Sequence, residues 1–223
     1  MFICGIDYSI SSPAVVKAEL DANLDIVGID YVSFTSTLKN CKLDYRLHHN
    51  VPKNFRNDLE RFQFLRDTIE EFMYCHNIPS YVAFEGYAMG GMGKVFNIAE
   101  ATALSKSMIY DKNTPIRIYT PSAIKKFATG NGTSGKVTMF QKFVEEEQNF
   151  LTVSHLPELK NPQEDIIDAY WIMKLLQTEL QLREGIITLR ELDRKKIEVF
   201  NAVSKSNPQN ILVRDFIQKP LTL

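Results

Sequence analysis

The chain has 223 residues, 44% of them hydrophobic and 24% charged, with a formal net charge of −1. That composition is of an ordinary globular protein, one domain with decorations, and excludes a disordered or low-complexity chain. No apolar run approaches the ~20 residues of a membrane-spanning helix, and the N-terminus enters an apolar strand without a basic leader, so a cytoplasmic protein is expected.

Residues 2–7, 13–20 and 25–33 read as three strands, the second turn carrying the hairpin residues Asp21-Ala22-Asn23. Residues 35–53 are polar and weakly periodic and read as an insertion or loop. From Asn54 to His76 the apolar residues Phe55, Leu59, Phe62, Leu65, Ile69, Phe72 and Met73 recur at threes and fours, which predicts an amphipathic helix. Tyr81–Glu85 is a buried strand, followed by a glycine-rich loop from Gly86 to Gly93 and a helix over 95–110. Ile116–Tyr119 is a strand, and Thr120-Pro121 opens a helix that stops at Thr129-Gly130-Asn131-Gly132. A helix from about Ser134 to Glu147 follows. Asn161-Pro162 opens a long one to Arg183, and residues 188–203 predict one more. A three-strand meander and then strands alternating with helices predict an α/β fold. Its core is a mixed five-stranded sheet flanked by helices.

Two strands end on carboxylates, Asp7 and Glu85. A lone acid ending a buried strand is costly without a partner, so Asp7 either accepts turn N–H groups from Tyr8–Ser12 or faces a cation. If the two strands are neighbours, both acids lie at one edge of the sheet. Asp165 and Asp168 are three apart and share a face of the long helix, whose other residues, from Ile166 to Ile172, are largely apolar. Several carboxylates in one place need a counter-charge, and hard oxygen ligands select Mg²⁺ or Mn²⁺. Charge is also segregated. Residues 105–143 carry seven Lys/Arg against Asp111 alone, and the stretch from Glu145 to Asp168 is acidic. A protein that holds phosphates beside a carboxylate-bound metal has this pattern; so does a solvated surface without a partner. The cysteines Cys4, Cys41 and Cys75 form no CxxC and, with His48, His49 and His76, fit no zinc-ligand spacing, so reduced thiols are expected.

Gly5-Ile6-Asp7-Tyr8-Ser9, Ala83-Phe84-Glu85 and Asp165-Ile166-Ile167-Asp168-Ala169 resemble the acidic motifs of RuvC-type Holliday-junction resolvases, within the ribonuclease H-like superfamily. Tyr119-Thr120-Pro121-Ser122-Ala123-Ile124-Lys125-Lys126, then Gly130-Asn131-Gly132 and Lys136, resemble that family's Pro, Ile-Lys, Gly-x-Gly, Lys segment. The resemblance covers residues 1–183 as a nuclease domain and leaves 184–223 as a C-terminal helical extension or tail. It implies Asp7, Glu85, Asp165 and Asp168 as ligands of two Mg²⁺ or Mn²⁺ ions and as catalytic residues together with Lys136. It also implies DNA contacts from Lys125, Lys126, Gly130, Gly132, Lys136 and Tyr87. The implied protein is a homodimer that resolves four-way DNA junctions by paired nicking, leaving 5′-phosphates, in the cytoplasm of a bacterium or an infected host cell. Where the cellular enzymes carry an aromatic three residues after the Glu this chain has Ala88, so Tyr87, Met89 or Met92 would have to stack on a base. Viral members of the group diverge in similar ways, which suits a bacteriophage member.

Three other readings stay open. A broader branched-DNA or flap nuclease, or an RNase H, would use the same acids. A non-catalytic junction-binding protein would be expected to lack one of them. A sugar-kinase or actin-type ATPase shares the strand–Asp–x–Ser opening but needs two such domains.

Overall fold

The computed structural model describes residues 1–36, 46–87, 95–146 and 163–205. Within them a single mixed sheet is built from β1 (Phe2–Asp7), β2 (Ala14–Leu20), β3 (Ile26–Thr35), β4 (Leu47–His49), β5 (Tyr81–Glu85) and β6 (Ile116–Tyr119). Strand order is β4-β3-β2-β1-β5-β6. β1, β2 and β3 form the antiparallel meander, while β5 runs parallel to β1 and β6 parallel to β5.

The sheet has six strands where five are expected. The extra one, β4, lies inside the segment read as a loop and pairs parallel to β3, Ser33 to Leu47 through Thr35 to His49. It is only three residues long, two of them histidines, so its pairing comes from β3 rather than from any periodicity of its own. The expected glycine-rich loop beyond Tyr87, Ala88, Met89, Met92, Cys41, the Asn161-Pro162 cap and the tail after Lys205 lie outside the described residues.

Helices cover both faces. α1 (Asp58–Tyr74) and α2 (Val95–Asp111) pack on one; α3 (Pro121–Thr129), α4 (Lys136–Glu146), α5 (Gln163–Arg183) and α6 (Arg194–Lys205) pack on the other. α1 starts four residues later than its periodicity predicts. Pro52–Asn54 make a separate 3-10 turn, and the side chain of Asn57 accepts from the Glu60 amide as the cap. α6 also starts late. Thr188 and Glu191 form a reciprocal cap around a 3-10 turn, and Asp193 then accepts from the amides of Lys195 and Lys196.

α5 is buried on nearly every side, its apolar residues spread around the helix rather than along one stripe. Among its polar exceptions, Gln177 donates to the Leu24 carbonyl and Thr178 to the Lys174 carbonyl. Glu179, fully buried, accepts from Arg117 of β6 (3.1 and 3.2 Å), Arg183 and Tyr119 (2.6 Å). Arg117 also donates to the Val203 carbonyl of α6 at 3.3 Å. The buried acid thereby ties β6, α5 and α6 together.

β1 and α5 approach closely at Gly5. A Cβ built there would lie 2.3 Å from the Ala169 carbonyl oxygen and 2.4 Å from the Met173 nitrogen, contacts that real Cβ atoms do not make. Both are backbone atoms and cannot swing aside. Gly5→Ala is therefore expected to destabilise the protein by about 3 kcal/mol, read as a lower urea midpoint; an unchanged midpoint would contradict the close approach.

Candidate active site

The strand register sets the first two acids. Gly5 pairs with Ala83 and Ile6 with Phe84 in the parallel β1–β5 ladder. The next residue of each strand is an acid, so Asp7 and Glu85 stand side by side at the C-terminal edge. Side chains alternate across a strand. Cys4, Ile6, Val82 and Phe84 join the core under α1 and α2, whereas Ile3 and Ala83 join the core under α5. Asp7 and Glu85 share the parity of Ile3 and Ala83 and so face the α5 side.

Helix and strand spacing then bring up the other two. Ala169 and Met173 touch Gly5, and Asp165 is one turn before Ala169 on the same stripe, ~6 Å along the axis. Asp7 is two residues past Gly5, ~6.6 Å along the strand. The two displacements match, and Asp165 forms a side-chain hydrogen bond with Asp7. Asp168 lies within electrostatic range of both Asp7 and Glu85.

Lys136, the first residue of α4, faces this group. Its Nζ is 2.9 Å from Glu164 Oε2, 3.7 Å from Asp168 Oδ2 and 3.9 Å from Asp165 Oδ1. Lys125 of α3 acts electrostatically on Glu85 and Asp168. The carboxyl groups are far from their usual behaviour. Burial, and then the charges of Asp168, Asp165 and Glu85, push Asp7 well above the ordinary carboxylate range, with Lys136 opposing. Burial pushes Asp168 up to about 7, again against Lys136, with Glu85 and Asp165 adding to the rise. Burial also raises Glu85 and Asp165. Burial opposes the charge on Lys136 too, yet the surrounding carboxylates hold its ammonium up to about 12.

Two members of the site carry little signal in the sequence. Ser12 is buried and hydrogen-bonds to Asp165. Glu164 is the nearest partner of Lys136; it was visible only as one more acid at a helix start. The turn that carries Ser12 is held from behind. The fully buried Asn50 donates to the carbonyls of Ile10 (2.8 Å) and Ser11 (3.2 Å), and Arg61 of α1 donates to Asn50 Oδ1 (2.7 Å) and to the Ile10 carbonyl.

The other residues implied for DNA contact are placed less uniformly. Lys126 is ion-paired to Glu198 of α6 at 2.7 Å. Gly130 is the left-handed C-cap of α3, with φ +79°, and at Gly132 a Cβ would come within 3.1 Å of the Ser122 carbonyl. These glycines shape the turn that leads to Lys136. Tyr87 is exposed, two residues past Glu85, with Lys106 Nζ 4.8 Å from its ring centroid.

The donor set fits a hard divalent cation. All its members are carboxylate oxygens, and Asp165 Oδ2 is buried without a hydrogen-bond partner. Among the described residues no three His, Cys, Asp or Glu side chains have closed to the spacing of a formed metal cluster. Like charges in one pocket repel and protonate rather than close up.

No protein-family model matches the chain, and no curated protein sequence matches it significantly. Solved structures do. The chain is similar to Thermus thermophilus RuvC at 14% identity and a TM-score of 0.53, covering 83% of this chain and 98% of that one. It is similar to T. thermophilus RuvC in complex with a Holliday junction substrate at 17% identity and a TM-score of 0.55, covering 83% and 97%. The sheet order, the helices on both faces and these matches define a ribonuclease H-like fold. Within that class the fold is of the RuvC type.

The raised carboxyl group of Asp168 has a thermodynamic consequence. Below pH ~4 it is protonated both folded and unfolded. Between pH ~4 and about 7 the unfolded chain ionises while the folded one stays protonated, so metal-free stability falls as pH rises. The melting temperature of Asp168→Asn minus that of wild type in EDTA is expected near zero at pH 4 and roughly 5 °C positive by pH 8. A difference independent of pH would contradict the buried, mutually repelling arrangement.

Proposed function

We propose that this chain is a divalent-metal-dependent endonuclease that cuts four-way DNA junctions. The observation that carries the reading is the meeting of Asp7, Glu85, Asp165 and Asp168 at one sheet edge beside Lys136, on a RuvC-type fold. The RuvC of T. thermophilus, similar in fold, has been solved with a Holliday junction substrate.

Asp7, Glu85, Asp165 and Asp168 would hold two Mg²⁺ or Mn²⁺ ions, which when bound supply Lewis acidity and a more acidic water for in-line hydrolysis. Asp7 has a central role, because its carboxyl group feels all three other acids. Ser12 fixes one oxygen of Asp165, leaving the unpartnered Oδ2 for a cation. Lys136, kept fully charged by its acidic neighbours, offers a point charge to the phosphate being cleaved. Lys125 adds a second cation near Glu85. Water adds to phosphorus and the bond to the 3′-oxygen breaks, giving a 5′-phosphate and a 3′-hydroxyl. Tyr87, an exposed ring over Lys106, supplies the stacking surface at the branch point in place of the missing aromatic at Ala88. Two such sites in a homodimer would nick two strands in pairs.

With labelled four-way junction and Mg²⁺, wild type is expected to cut, and Asp7→Asn to cut about a thousandfold more slowly while still binding the junction. Y-forks, flaps, linear duplex and RNA–DNA hybrid run alongside should be cut poorly. Equal cutting of flaps and forks would replace the junction assignment by a broader branched-DNA nuclease. Unchanged cleavage by Asp7→Asn would sink the active-site assignment.

A further inference from the structure

Behind the turn that delivers Lys136 lies a separate cleft of ≈ 470 Å³ between α3 and α6. Ser122, Lys126, Asn131, Lys195 and Glu198 are among its lining residues. None of them belongs to the acidic site.

α6 is a fixed wall of this cleft. Val199, Phe200 and Val203 are buried in the core, and the Phe200 ring meets Phe127 of α3 edge-on at 6.0 Å. The Val203 carbonyl accepts from Arg117, inside the buried Glu179 network. The helix therefore presents its first turn, Arg194-Lys195-Lys196, in one place.

Charge at that place is unbalanced. Glu198 is approached by Lys126 at 2.7 Å, Arg194 at 3.2 Å and Lys195 at 3.9 Å. Lys196 lies over the Phe127 ring at 5.1 Å. Asp193 is engaged by the amides of Lys195 and Lys196. Lys126, Arg194 and Lys195 thus surround the single acid Glu198, an excess of two positive charges beside a hydroxyl, Ser122, and an amide, Asn131. Lys195 packs against Gly130, its Cγ 3.6 Å from where a Cβ would stand. From Gly130 to Lys136 the chain can span at most ~20 Å, which is about six base pairs along a duplex.

We propose that the α3–α6 cleft is a second phosphate-binding groove, which takes the backbone of a DNA arm within about six base pairs of the strand held at Lys136. It rests on the nuclease reading and extends it. Arg194, Lys195 and Lys126 would exchange Glu198 for phosphate oxygens, so affinity from this groove would be independent of sequence and strongly dependent on salt.

The test is fluorescence anisotropy with a labelled four-way junction of long arms, in EDTA, over a series of KCl concentrations. Arg194→Glu/Lys195→Glu is expected to bind about tenfold more weakly at moderate salt, with the slope of log K against log salt smaller by about two. Glu198→Gln, which removes a competing carboxylate and reverses no charge, is expected to bind about twofold to threefold more tightly. If both variants, folded by circular dichroism, match wild type in affinity and slope while wild type binds and cuts the junction, the groove is wrong and the nuclease reading stands. If wild type binds no DNA, both fall together.

Discussion

Gly5 has no side chain, and α5 takes the space. The Ala169 carbonyl and the Met173 amide come so near β1 that any Cβ would collide with backbone. The position of the α5 acids follows from that contact. It fixes the height of α5 against β1, and Asp165 then falls beside Asp7 because one helical turn and two strand residues are nearly equal in length. The parallel β1–β5 register puts Glu85 next to Asp7 with no further adjustment. The arrangement has the known logic of open sheets, in which ligands sit beyond the carboxyl ends of parallel strands.

The acids that this packing assembles are in electrostatic debt. Burial raises Asp7, Glu85, Asp165 and Asp168, repulsion from the other acids raises Asp7 and Asp168 further, and Lys136 and Lys125 only partly offset this. The core shows the opposite case. Glu179 is as buried as any of them, but two arginines and a tyrosine saturate it. One buried acid is complete and structural; the other set is incomplete, and the difference supports the cation of the proposed function. The network around Glu179 also carries the fold outward to α6, so a helix at the end of the described chain becomes part of the surface near the turn at Gly130–Gly132.

Much of this was legible in the residues. Tyr81–Glu85 and Ile116–Tyr119 are short β-rich runs closed by turn residues, and both strands match their expected bounds. Asp165 and Asp168 stood out because acids are costly in an otherwise apolar helix. β4 did not stand out, since Leu-His-His has no pattern of its own and is recruited by β3. Nor did the roles of Ser12, Glu164 or the Lys126–Glu198 pair. Serines in a turn and charges on helix surfaces look alike in sequence; only the long-range approach of α5 and α6 sets these apart.

On the proposed function, Asp7 would be the ligand shared by the metal ions. Anomalous diffraction from crystals grown with Mn²⁺ tests it most directly. Anomalous peaks are expected about 2–2.5 Å from an oxygen of Asp7 and from at least one of Glu85, Asp165 and Asp168. Strong Mn²⁺ peaks elsewhere, with Asp7 unliganded at millimolar metal, would contradict it.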